Sequence, residues 1–170
     1  AKDAVCTTPV NLLGLPVLPG AIAPLLVTIA TLLSVVLAIV AGVIADRSPR
    51  PALWLGAFAW TGAVAASLMF LLSGSNWELG AVLLIIATLC VVASFAIYDG
   101  ILIRITPPDD RDRVSSTGWA FGYLGGGLLL AANFGLMSGY ATLGIGYELA
   151  IRISLLSAGL WWAIRPGRRS

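Results

Sequence analysis

Histidine does not occur in this chain of 170 residues. Its absence removes the commonest general base and metal ligand, and with it the Ser-His and HExxH chemistries. Charge is scarce too. Asp, Glu, Lys and Arg make up 11% of the residues, where soluble domains carry roughly 25%. The net charge of +2 is small, and the arginines fall in short separate segments, which excludes a nucleic-acid footprint. Cysteine occurs only as Cys6 and Cys90. The two stand far apart and Cys90 lies in an apolar run, so neither a disulfide nor a clustered metal site is expected. The chain is therefore expected to be no enzyme and to need no metal or cofactor.

What the chain has is apolar residues. AVILMFWYC account for 59% of it, and its mean hydropathy is +0.97. A helix crossing the hydrocarbon core needs about 20 apolar residues, and Ala21 to Ala45, Ala52 to Leu72, Leu79 to Ile103 and Trp119 to Met137 each supply such a run. Asp99 is the one acid inside them. Ser115, Ser116 and Thr117 stand where they would cap the fourth helix at its start. A fifth run, Ile153 to Ile164, is short; it extends back to Gly146 by taking in Glu148 and Arg152, an i,i+4 pair in the favourable order.

The expected fold is an all-α polytopic membrane bundle with about five spans, near 21–45, 52–72, 79–103, 115–137 and 146–164, with the lipid bilayer as its first partner. Residues 1–20 read as an extracytoplasmic loop broken by Pro9, Pro16 and Pro19, without the basic start and cleavage site of a signal peptide. A chain that opens in a loop is what a fragment or a processed product would give. Residues 165–170 read as a basic cytoplasmic tail.

Arginine placement predicts orientation. Arg47, Arg50, Arg104, Arg111, Arg113, Arg165, Arg168 and Arg169 fall on one side, and Lys2 and Arg152 on the other. The N-terminus is then outside and the C-terminus in the cytoplasm, which requires an odd number of spans.

A few residues are candidates for function. Asp99, near the arginine-rich end of its span, is either a pathway acid or an interfacial acid paired with Arg104 or solvated. Gly118, Gly122 and Gly126 recur every four residues, with Gly125, Gly127, Ala131 and Gly135 beside or beyond them, and make a strip on which another helix can pack. No strand precedes these glycines and their spacing is not GxGxxG, so they hold no nucleotide. Thr28, Thr31 and Ser34 either line a polar path or bond back to their own helix. Asn133, deep in the fourth span, needs an amide partner from a pathway or from a neighbouring helix.

Two stretches carry a resemblance. Gly42-Val-Ile-Ala-Asp46-Arg47, followed by Arg50, resembles the GxxxD(R/K)xGR(R/K) signature between the second and third helices of the major facilitator superfamily, with Pro49 in place of the usual glycine. Thr106-Pro107-Pro108-Asp109-Asp110-Arg111-Asp112-Arg113-Val114-Ser115 and Phe121-Gly122-Tyr123-Leu124-Gly125-Gly126-Gly127 resemble the branch related to the vacuolar amino-acid effluxers of fungi, whose bacterial members carry an APPEERGRVSGxGWAxGYLGGG-like sequence. In that branch asparagine is usual at the position of Asp99. The segment RISLLSAGLWW, from Arg152 to Trp162, is similar to the family's sixth helix.

The resemblance implies part of the N-terminal half of a transporter, covering family helices two to six. It implies missing partners, the first helix and the C-terminal half, and a small-molecule substrate moved by alternating access at the cell membrane. Amino-acid efflux is what the fungal relatives imply. It places Gly42, Asp46, Arg47, Arg50, Arg111 and Arg113 at a cytoplasmic gate, with Asp46 near a helix N-terminus of the other half and an arginine of the 104–113 segment, so that Asp46 is expected to cap that helix or to pair with Arg111 or Arg113. It makes Tyr98 and Asp99 pathway candidates, beside Thr31 and Asn133. The competing reading is a non-transporting membrane subunit or a truncated remnant, and the sixth helix reads as cut short by Arg165-Pro166-Gly167.

Overall fold

The computed structural model describes residues 10–12, 15–72 and 76–163. Before the bundle, β1 (Val10–Leu12) and β2 (Leu15–Val17) pair antiparallel, with Asn11 opposite Pro16. Five helices follow: α1 (Pro19–Arg47), α2 (Pro51–Leu68), α3 (Trp77–Ile105), α4 (Arg111–Gly139) and α5 (Tyr147–Ala163). The first four are long and apolar enough to cross a membrane once short flanking turns are included. The all-α bundle expected from the apolar runs is what forms, with the small hairpin as an addition to it.

Proline sets four of the boundaries. Pro19 and Pro51 occupy the first turn of α1 and α2, where a missing N–H costs nothing. Ser48 precedes Pro49 and Thr106 precedes Pro107, and both are extended, with ψ of 137° and 129°. A residue before proline is pushed out of the helical region by the pyrrolidine ring, so α1 and α3 stop there. The charged segment is less of a loop than its composition suggests. Pro108–Asp110 form one 3₁₀ turn and α4 starts at Arg111. Ser115, Ser116 and Thr117 are accordingly not caps. They lie inside α4, where Ser116 and Thr117 donate to the Arg113 carbonyl.

The closest packing among the described residues uses alanine and two glycines outside the strip. On α1 the buried residues are Leu26, Ala30, Ser34, Ala41 and Ala45, spaced in fours and sevens along one face. This face lies against α3, where Ala41 and Ala45 meet Ala93 and Ile97. Between α2, α3 and α5, a second cluster joins Ala65, Met69 and Leu83 to Leu155. The closest approaches occur at Gly62 and Gly159. A methyl group on Gly159 would sit 2.6 Å from the Ser67 backbone nitrogen, and one on Gly62 would strike the Trp162 ring and sit 2.9 Å from Cys90 Cβ. Without hydrophobic driving force inside a bilayer, such close approach is what holds helices together.

Helix α4 stands apart. None of its residues is buried, and its neighbours are chiefly α5 and, weakly, α3. Leu25, Leu32, Val36 and Ile39 on α1 and Phe121, Leu128, Leu130 and Phe134 on α4 are exposed. Apolar patches of this extent are stable only against lipid or another helix.

Candidate functional site

Three helix termini meet at the arginine-rich end. Arg104, in the last turn of α3, reaches across to α1 and donates from Nη2 to the Asp46 main-chain oxygen at 2.6 Å and to its Oδ1 at 3.3 Å. The partners are 58 residues apart in sequence. Close approach makes the reach possible: Ala45 and Ala93 keep the backbones near, and a methyl group on Gly100 would lie 3.6 Å from Asp46 Oδ1. The side chains remain 65% and 42% exposed. An exposed ion pair contributes about 1 kcal/mol at most, but the bond to the carbonyl adds a second link and satisfies an orphan acceptor at the α1 C-terminus.

The arginine that meets Asp46 is therefore Arg104. Arg111 instead folds back on α3, donating from Nε to the Thr106 carbonyl at 3.2 Å and from Nη2 to that of Ile103 at 3.0 Å. Those are the open carbonyls of the α3 C-terminus, where a cation is favoured by the helix dipole. Arg47, Arg50 and Arg113 are exposed and enter no ion pair among the described residues. Gly42 lies beside this corner, lining a small crevice with Asp46, Gly100 and Arg104.

The pathway candidates separate. Thr31 donates to the Val27 carbonyl at 2.8 Å, Thr28 to that of Pro24 at 2.9 Å and Ser34 to that of Thr31 at 2.7 Å. These hydroxyls serve their own helix. Asn133 Oδ1 lies 3.1 Å from the Ser157 hydroxyl, which joins α4 to α5. Asp99 is exposed and enters no ion pair among the described residues; Arg104, its sequence neighbour, is engaged by Asp46.

Tyr98 leads to the main cavity. A groove of about 450 Å³ opens between α3 and α4, lined by Ser94, Phe95 and Tyr98 on one side and Gly118, Trp119, Gly122 and Tyr123 on the other. Leu55 and Ala59 of α2 and Trp162 of α5 close its back. Phe95, Trp119 and Tyr123 form a ladder of tilted rings with centroids 5.5 and 5.8 Å apart. Ser94 is buried and its hydroxyl has no hydrogen-bond partner among the described residues, at a cost of roughly 1–3 kcal/mol. By contrast Thr61, Ser67, Thr88 and Ser154 each donate to the carbonyl four residues back.

The glycine strip is divided between these surroundings. A methyl group on Gly118 would lie 3.1 Å from the Tyr98 hydroxyl and one on Gly125 would lie 3.4 Å from Trp161, while Gly122, Gly126 and Gly127 face open space. Gly118 and Gly122 thus make room in the groove rather than seat a helix of the described residues. Sequence reasoning missed Gly62, Gly159, Ser94 and the aromatic ladder. The ladder had a signal, since Trp119 and Tyr123 are one turn apart, but nothing local points to Phe95 opposite.

A profile of the family described as "Vacuole effluxer Atg22 like" matches residues 2–109 and again residues 104–165. A relative from Bacillus subtilis (strain 168), the uncharacterized MFS-type transporter YxiO, is 21% identical over 140 residues, which covers 81% of this chain and 33% of the relative. The chain spans about a third of the length of that relative. No solved structure matches it.

Proposed function

Because this chain belongs to the family of vacuole effluxer Atg22-like proteins, we propose that it is part of a secondary transporter that moves a small solute across a membrane by alternating access. The observation that carries the reading is the Asp46–Arg104 link, which ties the ends of two otherwise apolar helices at one face of the bundle. A contact of this kind favours one access state and must break for the other to form. The remaining helices of the transporter are the partners that complete the substrate path, and alternating access in such proteins works by rocking one bundle against another.

Two measurements test this reading. Asp46→Asn weakens the ion pair but keeps the carbonyl that Arg104 also uses. The loss is about 0.3–1 kcal/mol, which shifts a balanced two-state equilibrium roughly fivefold at most. In the reconstituted full-length protein we expect slower transport with normal expression, and a larger effect from Arg104→Ala, which removes both bonds. Unchanged rates in both variants would leave Asp46 as an ordinary solvated acid.

The second measurement concerns orientation, for which the arginine bias supports a cytoplasmic C-terminus at the cell membrane. Cysteines introduced at Ser75 and Ser170, which lie outside the described residues, report it. The first should react with an impermeant reagent in intact cells and the second only after permeabilisation. The reverse pattern sinks the orientation.

A further inference from the structure

We propose that the groove between α3 and α4 binds a lipophilic organic cation. As the class of solute carried, this rests on the transport reading above; as a binding site, it stands on the groove itself.

Size comes first. A cavity of about 450 Å³ is in the range that holds a drug-sized molecule, roughly 300–1,000 Å³. The room has a sequence cause. On α4 each ring is paired with a glycine, Gly118 with Trp119 and Gly122 with Tyr123, one turn apart. The rings form a wall and the glycines leave the space beside it; a methyl group on Gly122 would meet nothing within 4 Å.

Charge comes second. The lining contains no acid and no base. A carboxylate entering it would find tyrosine hydroxyls but no cation to offset the water it loses, so a free amino acid does not suit this groove. A diffuse organic cation does. It loses less on desolvation, and the faces of Phe95, Trp119 and Tyr123 carry the negative part of the aromatic quadrupole. Asp99 follows Phe95 by four residues and so lies one turn along the same flank of α3. It is exposed and has no ion-pair partner among the described residues, which sets a negative charge near the groove with nothing to neutralise it.

The test uses the full-length protein in nanodiscs and radiolabelled tetraphenylphosphonium in equilibrium dialysis, with empty nanodiscs as the blank. Saturable binding is expected, competed poorly by tetraphenylborate, which has the same shape and the opposite charge. Gly122→Leu should abolish it, because the leucine fills the groove without meeting any atom near its Cβ. Gly126→Leu, where a methyl group also meets open space but which does not line the groove, should bind like the parent. Trp119→Ala should weaken binding about thirtyfold, the value of one desolvated cation–π contact, and Asp99→Asn should weaken it severalfold. Absence of saturable binding overturns the proposal, as does parental affinity in Gly122→Leu or equal competition by the borate. That failure leaves the transport reading untouched, since the Asp46 and Arg104 variants decide it separately.

Discussion

Replacement of Gly159 by leucine is expected to leave little folded protein in a detergent extract and to lower the thermal midpoint of what remains. Gly159 of α5 rests on the Ser67 turn of α2. A single added methyl group would press on the Ser67 hydroxyl and sit 2.6 Å from its backbone nitrogen and 2.9 Å from its Cα. Ser67 itself donates to the Ala63 carbonyl at 2.8 Å, so the turn cannot yield without losing that bond. Side chains can rotate away from an overlap; helix backbone cannot, and the two helices must separate. Overpacking of a close-packed interior costs about 1–3 kcal/mol and more where backbone must move, and we place this variant at the upper end. Gly159→Ala already introduces the clash and should show about half the effect. Size-exclusion profiles across a temperature series measure both. A leucine variant as stable as the parent would mean that α2 and α5 do not meet here.

The second large effect is expected at Gly62, and it can be reversed. The Trp162 ring of α5 lies over Gly62, with Cys90 of α3 beside it. Gly62→Leu drives a side chain into the ring and should destabilise the bundle by roughly 1–3 kcal/mol. Trp162→Ala removes a half-buried ring and should cost less than the roughly 3–5 kcal/mol typical of a large aromatic residue in a packed interior. Combined, the leucine occupies the space that the ring left. The double variant should therefore be more stable than the sum of the single changes predicts, by on the order of 1–3 kcal/mol of coupling. Simple additivity of the two changes would show that ring and glycine do not touch.

These two positions also mark where reading the sequence stopped short. The apolar runs located every helix of the bundle, and the prolines at 19, 49, 51 and 107 account for four of the boundaries. The start of α4 was misplaced, because Arg111 to Ser115 looks like a polar loop followed by capping residues yet forms its first turns. A charged first turn is compatible with a helix that protrudes into water, and hydropathy cannot distinguish that from a loop. The glycine strip on α4 drew attention by its density, but the tight contacts use single glycines, Gly62 and Gly159, in helices whose composition is otherwise ordinary.

The candidate site was legible in part. Asp46 stood out through its motif, but Arg111 or Arg113 was its expected partner, and Arg104 takes that place. Arg104 and Arg111 are equally charged, and the choice follows from the direction each side chain leaves its helix. Arg104 points from α3 toward α1 across a seam of alanines, whereas Arg111 begins α4 and curls back over the open carbonyls of α3.

What the sequence determined by itself was the set of helices, several of their limits and the apolar lengths that suit a bilayer. Each of these depends on residues within one run: backbone bonds close within the helix, the apolar length matches the bilayer, and a proline acts on its immediate neighbour. Only the tertiary structure decided which faces meet, that Arg104 is the partner of Asp46, and that Phe95 completes a ladder with Trp119 and Tyr123. Inside a bilayer every face of such a helix is apolar, so no hydrophobic pattern says which face turns inward. That choice is left to shape and to a few polar contacts between residues far apart in the chain.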